Sequence, residues 1–225
     1  MSIQVAETRL GQIPYTSAVE GRSVSLSTQR LLDVLICVAV APVALPIGAI
    51  LAFLTRLDGG PAIYAQRRVG LGGRVFNCLK FRSMVHGADG HLEALLASDA
   101  AARAQWESYQ KLKVDPRITA LGRLIRTFSL DELPQFINVW RGEMSIVGPR
   151  PIMADQVRLY GDDFSVYCTM RPGITGLWQI GGRNNCTFAE RVSLDMQYAR
   201  SWSVPKDLWI LLLTIPAVFA RKGAR

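Results

Sequence analysis

Asp131 and Glu132 are adjacent carboxylates in a basic stretch: Arg117, Arg123 and Arg126 precede them, and Arg141, Arg150, Arg171 and Arg183 follow. Carboxylates of this kind hold Mg²⁺ beside substrate phosphates, and guanidinium groups match phosphate oxygens two at a time. The combination points to phosphate-ester chemistry. An ordinary alternative exists for each part. Ser129-Leu130-Asp131-Glu132 has the S-x-x-E form of a capping box, where acids in the first turn favour the helix dipole. A lone Arg in a loop is commonly a solvated surface charge. The cap needs only one acid, however, and the second repels it.

Other chemistries lack their parts. The chain has two histidines, His86 and His91, with no partner carboxylate at ligand spacing and no nucleophile beside them. Cys37, Cys78, Cys168 and Cys186 form no C-x-x-C pair, so neither zinc nor dithiol redox chemistry is indicated, and a reducing compartment fits. The Gly70–Gly73 cluster lacks the order and the βαβ setting of a dinucleotide loop.

The elements that must position these groups belong to a chain of 225 residues with 26 Lys+Arg, 18 Asp+Glu and a net charge of +8. Mean hydropathy is nevertheless positive, at +0.17. That pairing excludes disorder for most of the chain and leaves a soluble enzyme, a nucleic-acid binder or a membrane-attached protein. Nucleic acid is disfavoured, because Trp106 and Trp140 sit on apolar stripes rather than among basic residues.

No charge occurs between Asp33 and Arg56, and a helix over this run would measure about 33 Å, enough to cross a hydrocarbon core. Pro42 and Pro46 interrupt its middle, and basic residues flank both ends. Two half-helices, 34–41 and 47–55, dipping in and returning, or a kinked spanning helix, both satisfy the pattern. Residues 1–27 are a polar arm. After the run, Ile63–Val69 and Val75–Phe81 form a hairpin joined by glycines. Residues 88–113 form one helix, a shorter helix starts near Ser129 and ends at Arg141-Gly142, and 208–220 is an interfacial or core-packed apolar helix. The fold class is α+β, mostly helical, divided as 1–27 arm, 28–57 membrane helix and 58–225 catalytic domain.

Lys80-Phe81-Arg82-Ser83-Met84, Asp115-Pro116-Arg117-Ile118-Thr119 and Ser129-Leu130-Asp131-Glu132-Leu133-Pro134-Gln135 resemble the bacterial sugar transferase family, the monotopic phosphoglycosyl transferases. Gly142–Pro151, Arg171–Gly176 and Gly182-Arg183-Asn184 continue the likeness in family order, which covers roughly residues 28–220. The chain resembles the short catalytic form without a multi-span N-terminal extension, and most of all the galactose-phosphate transferases that begin exopolysaccharides.

The resemblance implies transfer of a sugar-1-phosphate, galactose or glucose, from a UDP-sugar to undecaprenyl phosphate with release of UMP. It places the nucleophile on Asp131 and the neighbouring acid on Glu132, with Mg²⁺ held partly by Asp131. Lys80, Arg126, Arg150, Arg171 and Arg183 fall on its phosphate- or nucleotide-binding positions. It favours a monotopic, re-entrant hairpin broken at Pro42 and Pro46, embedded in membrane lipid of the bacterial inner membrane, with the catalytic domain on the cytoplasmic face. Leu45-Pro46 stands where many members carry Ser-Pro, which changes the hydrogen-bond partners at the break. A UDP-sugar hydrolase and a non-enzymatic membrane adaptor are the competing readings.

Overall fold

A computed structural model describes residues 23–57, 59–85, 87–109, 112, 114–181 and 186–219. Helix α1 runs from Ser23 to Arg56. It begins inside the expected polar arm, whose residues 1–22 lie outside the described residues. Pro42 and Pro46 sit within one continuous helix, where two half-helices were expected. Each proline forfeits one backbone hydrogen bond, but its fixed φ suits a helix and the neighbouring bonds persist. The 27–56 stretch is long and apolar enough to cross a membrane, and 11% of its most apolar window is buried by protein.

Both ends of that stretch return to the same domain. Near its start, Asp33 accepts from the Ser145 hydroxyl at 2.9 Å and the Ile146 backbone N–H at 2.8 Å, and Gln29 donates to the Val147 carbonyl at 3.1 Å. Arg30 caps the carbonyls of Val139 and Trp140. Near its end, Leu51 packs with Phe81 and Ile125, and Arg82 donates to the Thr55 carbonyl at 2.9 Å. Between these anchors Val38, Val43 and Leu45 are exposed, Leu45 at 71%.

Strands β1 (Ile63–Val69) and β2 (Val75–Phe81) pair antiparallel from Ile63↔Phe81 to Val69↔Val75, as the alternation and the Gly70–Gly73 connection require. The expected 88–113 helix is two, α2 (Ala88–Ser98) and α3 (Ala100–Tyr109). Asp99 divides them: its backbone is extended and its Oδ1 caps the N–H groups of Ala101 and Ala102 at 2.8 and 3.0 Å. Helix α4 (Ala120–Thr127) is capped by Thr119, then a 3₁₀ turn covers Leu130–Glu132 and α5 spans Gln135–Arg141. Gly142 closes α5 at φ +79°, as expected.

Strand β3 (Ser145–Val147) pairs in parallel with β4 (Gly173–Thr175); between them lie 3₁₀ turns at Ala154–Leu159 and Gly161–Asp163 and the short helix α6 (Phe164–Tyr167). Helices α7 (Leu177–Gly181), α8 (Phe188–Arg200) and α9 (Val204–Phe219) complete the order. One apolar core joins α1, β2, α5, β3, α8 and α9 through Cys37, Cys78, Val139, Ile146, Tyr198 and Ile210. A second, around Tyr160, Tyr167 and Phe188, lies beneath the β3–β4 connection and α8. The four cysteines are free and buried. Helix α9 exposes Leu208, Trp209, Leu212 and Ile215, an apolar face of the kind expected at an interface.

Candidate active site

The turn carrying Asp131 and Glu132 is not the expected capping box. Ser129 adopts a left-handed conformation (φ +55°), unique for a non-glycine among the described residues, and makes no side-chain cap. Glu132 is consequently free of the cap and turns to Lys80, whose Nζ donates to its Oε1 at 3.1 Å. Strained backbone of this kind marks sites that the surrounding structure over-determines. The surroundings here are Leu130 and Leu133, which pack with Leu51 of α1, Phe81 and Ile125. The acidic turn thus packs on the same apolar cluster as the end of α1.

Asp131 is 7% exposed. Burial raises its carboxyl above the ordinary range; the charge of Lys80 opposes this, Glu132 adds to it and Arg126 opposes it again. Lys80 is therefore the principal cation favouring ionised Asp131. Strand β2 carries Lys80 to Glu132, beside Asp131, and Asn138 of α5 fixes the strand edge: its Oδ1 accepts from Leu79 N–H at 2.9 Å and its Nδ2 donates to the Asn77 carbonyl at 2.7 Å. Replacing Lys80 with Met is expected to reduce turnover near pH 7 by about a hundredfold, the scale of a lost electrostatic contact in a desolvated site. Because Lys80 lowers the Asp131 pKa, its loss leaves the carboxyl protonated to higher pH. The acid limb of the pH–rate profile should therefore move upward, and an unmoved limb would refute this coupling.

Lys80 and Glu132 open onto a narrow cleft lined also by Arg68, Cys78, Gln135, Arg150, Pro151, Gly173, Ile174 and Trp178. The Arg150 guanidinium lies 4.4 Å from the Trp178 ring centroid, with that of Arg191 5.4 Å away from it. Arg68 donates to the Pro151 carbonyl at 3.0 Å and to Gln66. Burial, and then repulsion from Arg150, lower the Arg68 pKa to about 10; burial and Arg150 do the same to Arg191. Arg68 Nε, Arg191 Nε and Trp178 Nε1 are buried donors with no partner among the described residues. Crowded cations and unmet donors are the local requirements of an anionic ligand.

Of the residues singled out in the sequence, Lys80, Glu132 and Arg150 line one cleft, and Asp131, next to Glu132, stands within electrostatic reach of Lys80 and Arg126. Arg171 does not line the cleft; its Nε donates to the Gly142 carbonyl at 3.0 Å, beyond α5. Arg183 lies outside the described residues. Arg117 is committed to Asp115, at 2.6 Å in a buried pair. Pro42 and Pro46 are in α1, away from the cleft. Arg68, Arg191, Gln135 and Trp178 were given no role in the site from the sequence. The available signal was a charged pair, Arg191 and Asp195, one turn apart on the same face as Phe188, Val192 and Met196.

Among the described residues no group of three or more His, Cys, Asp or Glu could hold a metal. Asp131, with Glu132 beside it, fits Mg²⁺ only in the manner this ion favours, through one or two carboxylates together with substrate phosphates and water.

A carboxylate set against a cationic cleft, on an α+β domain carrying one membrane-length apolar helix, defines the class: a phosphate-ester site on a membrane-length scaffold. The chain belongs to the bacterial sugar transferase family, whose profile matches residues 24–221. It is 47% identical over 196 residues to an undecaprenyl-phosphate galactose phosphotransferase of Salmonella typhimurium, covering 87% of this chain and 41% of that protein. It spans about two fifths of the length of that relative. It is 44% identical over 201 residues to the exopolysaccharide production protein ExoY of Sinorhizobium fredii, covering 88% of each. It is 35% identical over 205 residues to a UDP-glucose:undecaprenyl-phosphate glucose-1-phosphate transferase of Caulobacter vibrioides, covering 87% of this chain and 71% of the other.

Proposed function

We propose that this chain transfers galactose-1-phosphate or glucose-1-phosphate from a UDP-sugar to undecaprenyl phosphate, releasing UMP, as the first step of exopolysaccharide repeat-unit synthesis. The observation that carries this reading is the turn itself: Asp131 is a buried carboxylate under the charge of Lys80, its neighbour Glu132 bonds Lys80 at the wall of an arginine-rich cleft, and its flanking leucines pack on the cluster that includes Leu51 of the apolar helix. A soluble nucleotide-sugar can enter from the cleft, and a lipid-borne phosphate from the helix side.

Asp131 attacks the β-phosphorus of the donor; the bond from that phosphorus to the bridging oxygen breaks, and UMP departs with the electron pair. An oxygen of the lipid phosphate then attacks the same phosphorus, releasing the Asp131 carboxylate and leaving a polyprenyl diphosphate sugar. Dividing the transfer into two displacements is the advantage of a carboxylate nucleophile. Lys80 and Arg150 bind the phosphate oxygens, with Arg126 reinforcing the charge around Asp131. Mg²⁺, held by Asp131 with the donor's phosphates, would supply charge neutralisation. Both ends of α1 anchoring in one domain supports a re-entrant helix in the cytoplasmic leaflet of the inner membrane rather than a crossing one.

Purified protein mixed with UDP-galactose and Mg²⁺ without lipid acceptor should release about one UMP per active site and stop, then turn over when undecaprenyl phosphate is added. Sustained release without acceptor would identify a UDP-sugar hydrolase instead.

A further inference from the structure

Asp195, on α8, is 1% exposed yet carries a carboxylate that the proposed chemistry does not use. The Tyr160 hydroxyl donates to its Oδ2 at 2.7 Å, and the Arg150 backbone N–H donates across both oxygens at 3.3 and 3.4 Å. Among the described residues, Arg191, one turn earlier on the same helix, and Tyr167 on α6 also face it. Arg150 and Arg191 sit over the same Trp178 ring, so two cations crowd one indole, with Arg68 adding its charge nearby. Like charges this close repel strongly when desolvated, and a carboxylate behind them offsets that repulsion.

We propose that Asp195 is a positioning residue for the cleft, its charge holding Arg150 and Arg191 against Trp178 so that their remaining N–H groups serve the donor's phosphates. This rests on reading the cleft as the donor site. Burial pushes the Asp195 carboxyl up to about 7, against the lowering effects of Tyr160, Arg150 and Arg191. The clamp is therefore engaged above neutrality and released below it. Coulomb attraction alone predicts the opposite sign, since removing a negative charge makes the cleft more attractive to an anion. The direction of the effect separates positioning from bulk field.

The test measures UDP-galactose affinity by calorimetry, using the full chain in lipid nanodiscs with Mg²⁺ and with Asp131→Asn to prevent turnover. The donor's phosphodiester groups stay ionised between pH 6 and 8, so any inflection belongs to the protein. Kd should be about tenfold weaker at pH 6 than at pH 8, the scale of a lost charged hydrogen bond. Adding Asp195→Asn should give the weak Kd at every pH. Adding Tyr160→Phe removes a donor that lowers the Asp195 pKa, and should move the inflection to higher pH. Unchanged or tighter binding in Asp195→Asn overturns the proposal, as does an unmoved inflection in Tyr160→Phe, which also covers the case in which the Asn variant fails to fold. Absence of UDP-galactose binding at every pH would overturn the donor reading itself, a distinct result.

Discussion

Asp131→Asn is expected to lower UMP release from UDP-galactose by at least about a thousandfold, with donor binding retained. Asn keeps the shape of the side chain on its 3₁₀ turn but supplies no nucleophilic oxygen pair. Because Asp131 is buried and held above its ordinary pKa, the substitution removes a charge that folding has to desolvate, so the fold should survive it. The same substitution should abolish transfer of label from a sugar-labelled donor onto the protein in the absence of acceptor. Loss of the covalent adduct together with loss of turnover identifies Asp131 as the nucleophile. Retained adduct with lost turnover would assign the covalent step to another residue and leave Asp131 a metal or phosphate contact.

Gly173→Ala should be the most damaging small substitution outside the acidic turn. A Cβ at Gly173 would lie 2.1 Å from the Gly148 nitrogen and 2.5 Å from the Thr175 carbonyl oxygen, both backbone atoms that cannot rotate away. Gly148 and Gly176 are closed in the same manner, at 2.4 Å from the Arg171 carbonyl oxygen and 2.2 Å from the Gly148 carbonyl oxygen. The β3–β4 pairing is thus a backbone-to-backbone contact, and it holds Pro149-Arg150-Pro151 over the cleft. Forcing it apart should cost about 3 kcal/mol, the upper range for overpacking, and lower Tm by roughly 6–12 °C in a domain of this size. Gly90→Ala, where a Cβ meets nothing within 4 Å, is the control and should leave Tm unchanged or slightly raised. Equal melting of the two variants would show that the crossing can relax.

Much of this arrangement was legible in the residues. The hairpin followed from two β-prone runs around glycines, the end of α5 from Arg141-Gly142, and the apolar helix from 22 residues without a charge, 34–55. The acidic pair stood out because two carboxylates exceed what a cap needs, and the structure gives Glu132 to Lys80 rather than to Ser129. What stayed hidden depended on long-range contacts. The prolines alone left two half-helices and one kinked helix both open, and the structure carries α1 through Pro42 and Pro46 as one helix. Asp99 splits the 88–113 segment by capping from within, a role a lone Asp does not advertise amid alanines. Arg171 resembled its cleft-bound neighbours in being a loop arginine beside Pro and Gly, but its side chain is taken by the Gly142 carbonyl. Arg68 lines the cleft from a strand and Arg191 lies over the cleft's Trp178 from a helix far away in sequence, so no local spacing could pair them with Arg150.

The most direct test of the central claim is the fate of the sugar phosphate itself. Full-length protein in nanodiscs would be given UDP-galactose and UDP-glucose labelled in the β-phosphate, Mg²⁺ and undecaprenyl phosphate, and the solvent-extracted lipid weighed by mass spectrometry. A polyprenyl diphosphate hexose carrying the β-label, formed with an equal amount of UMP and absent with Asp131→Asn, is the predicted result. Label appearing only as free hexose-1-phosphate, or a lipid product that persists in Asp131→Asn, would contradict it.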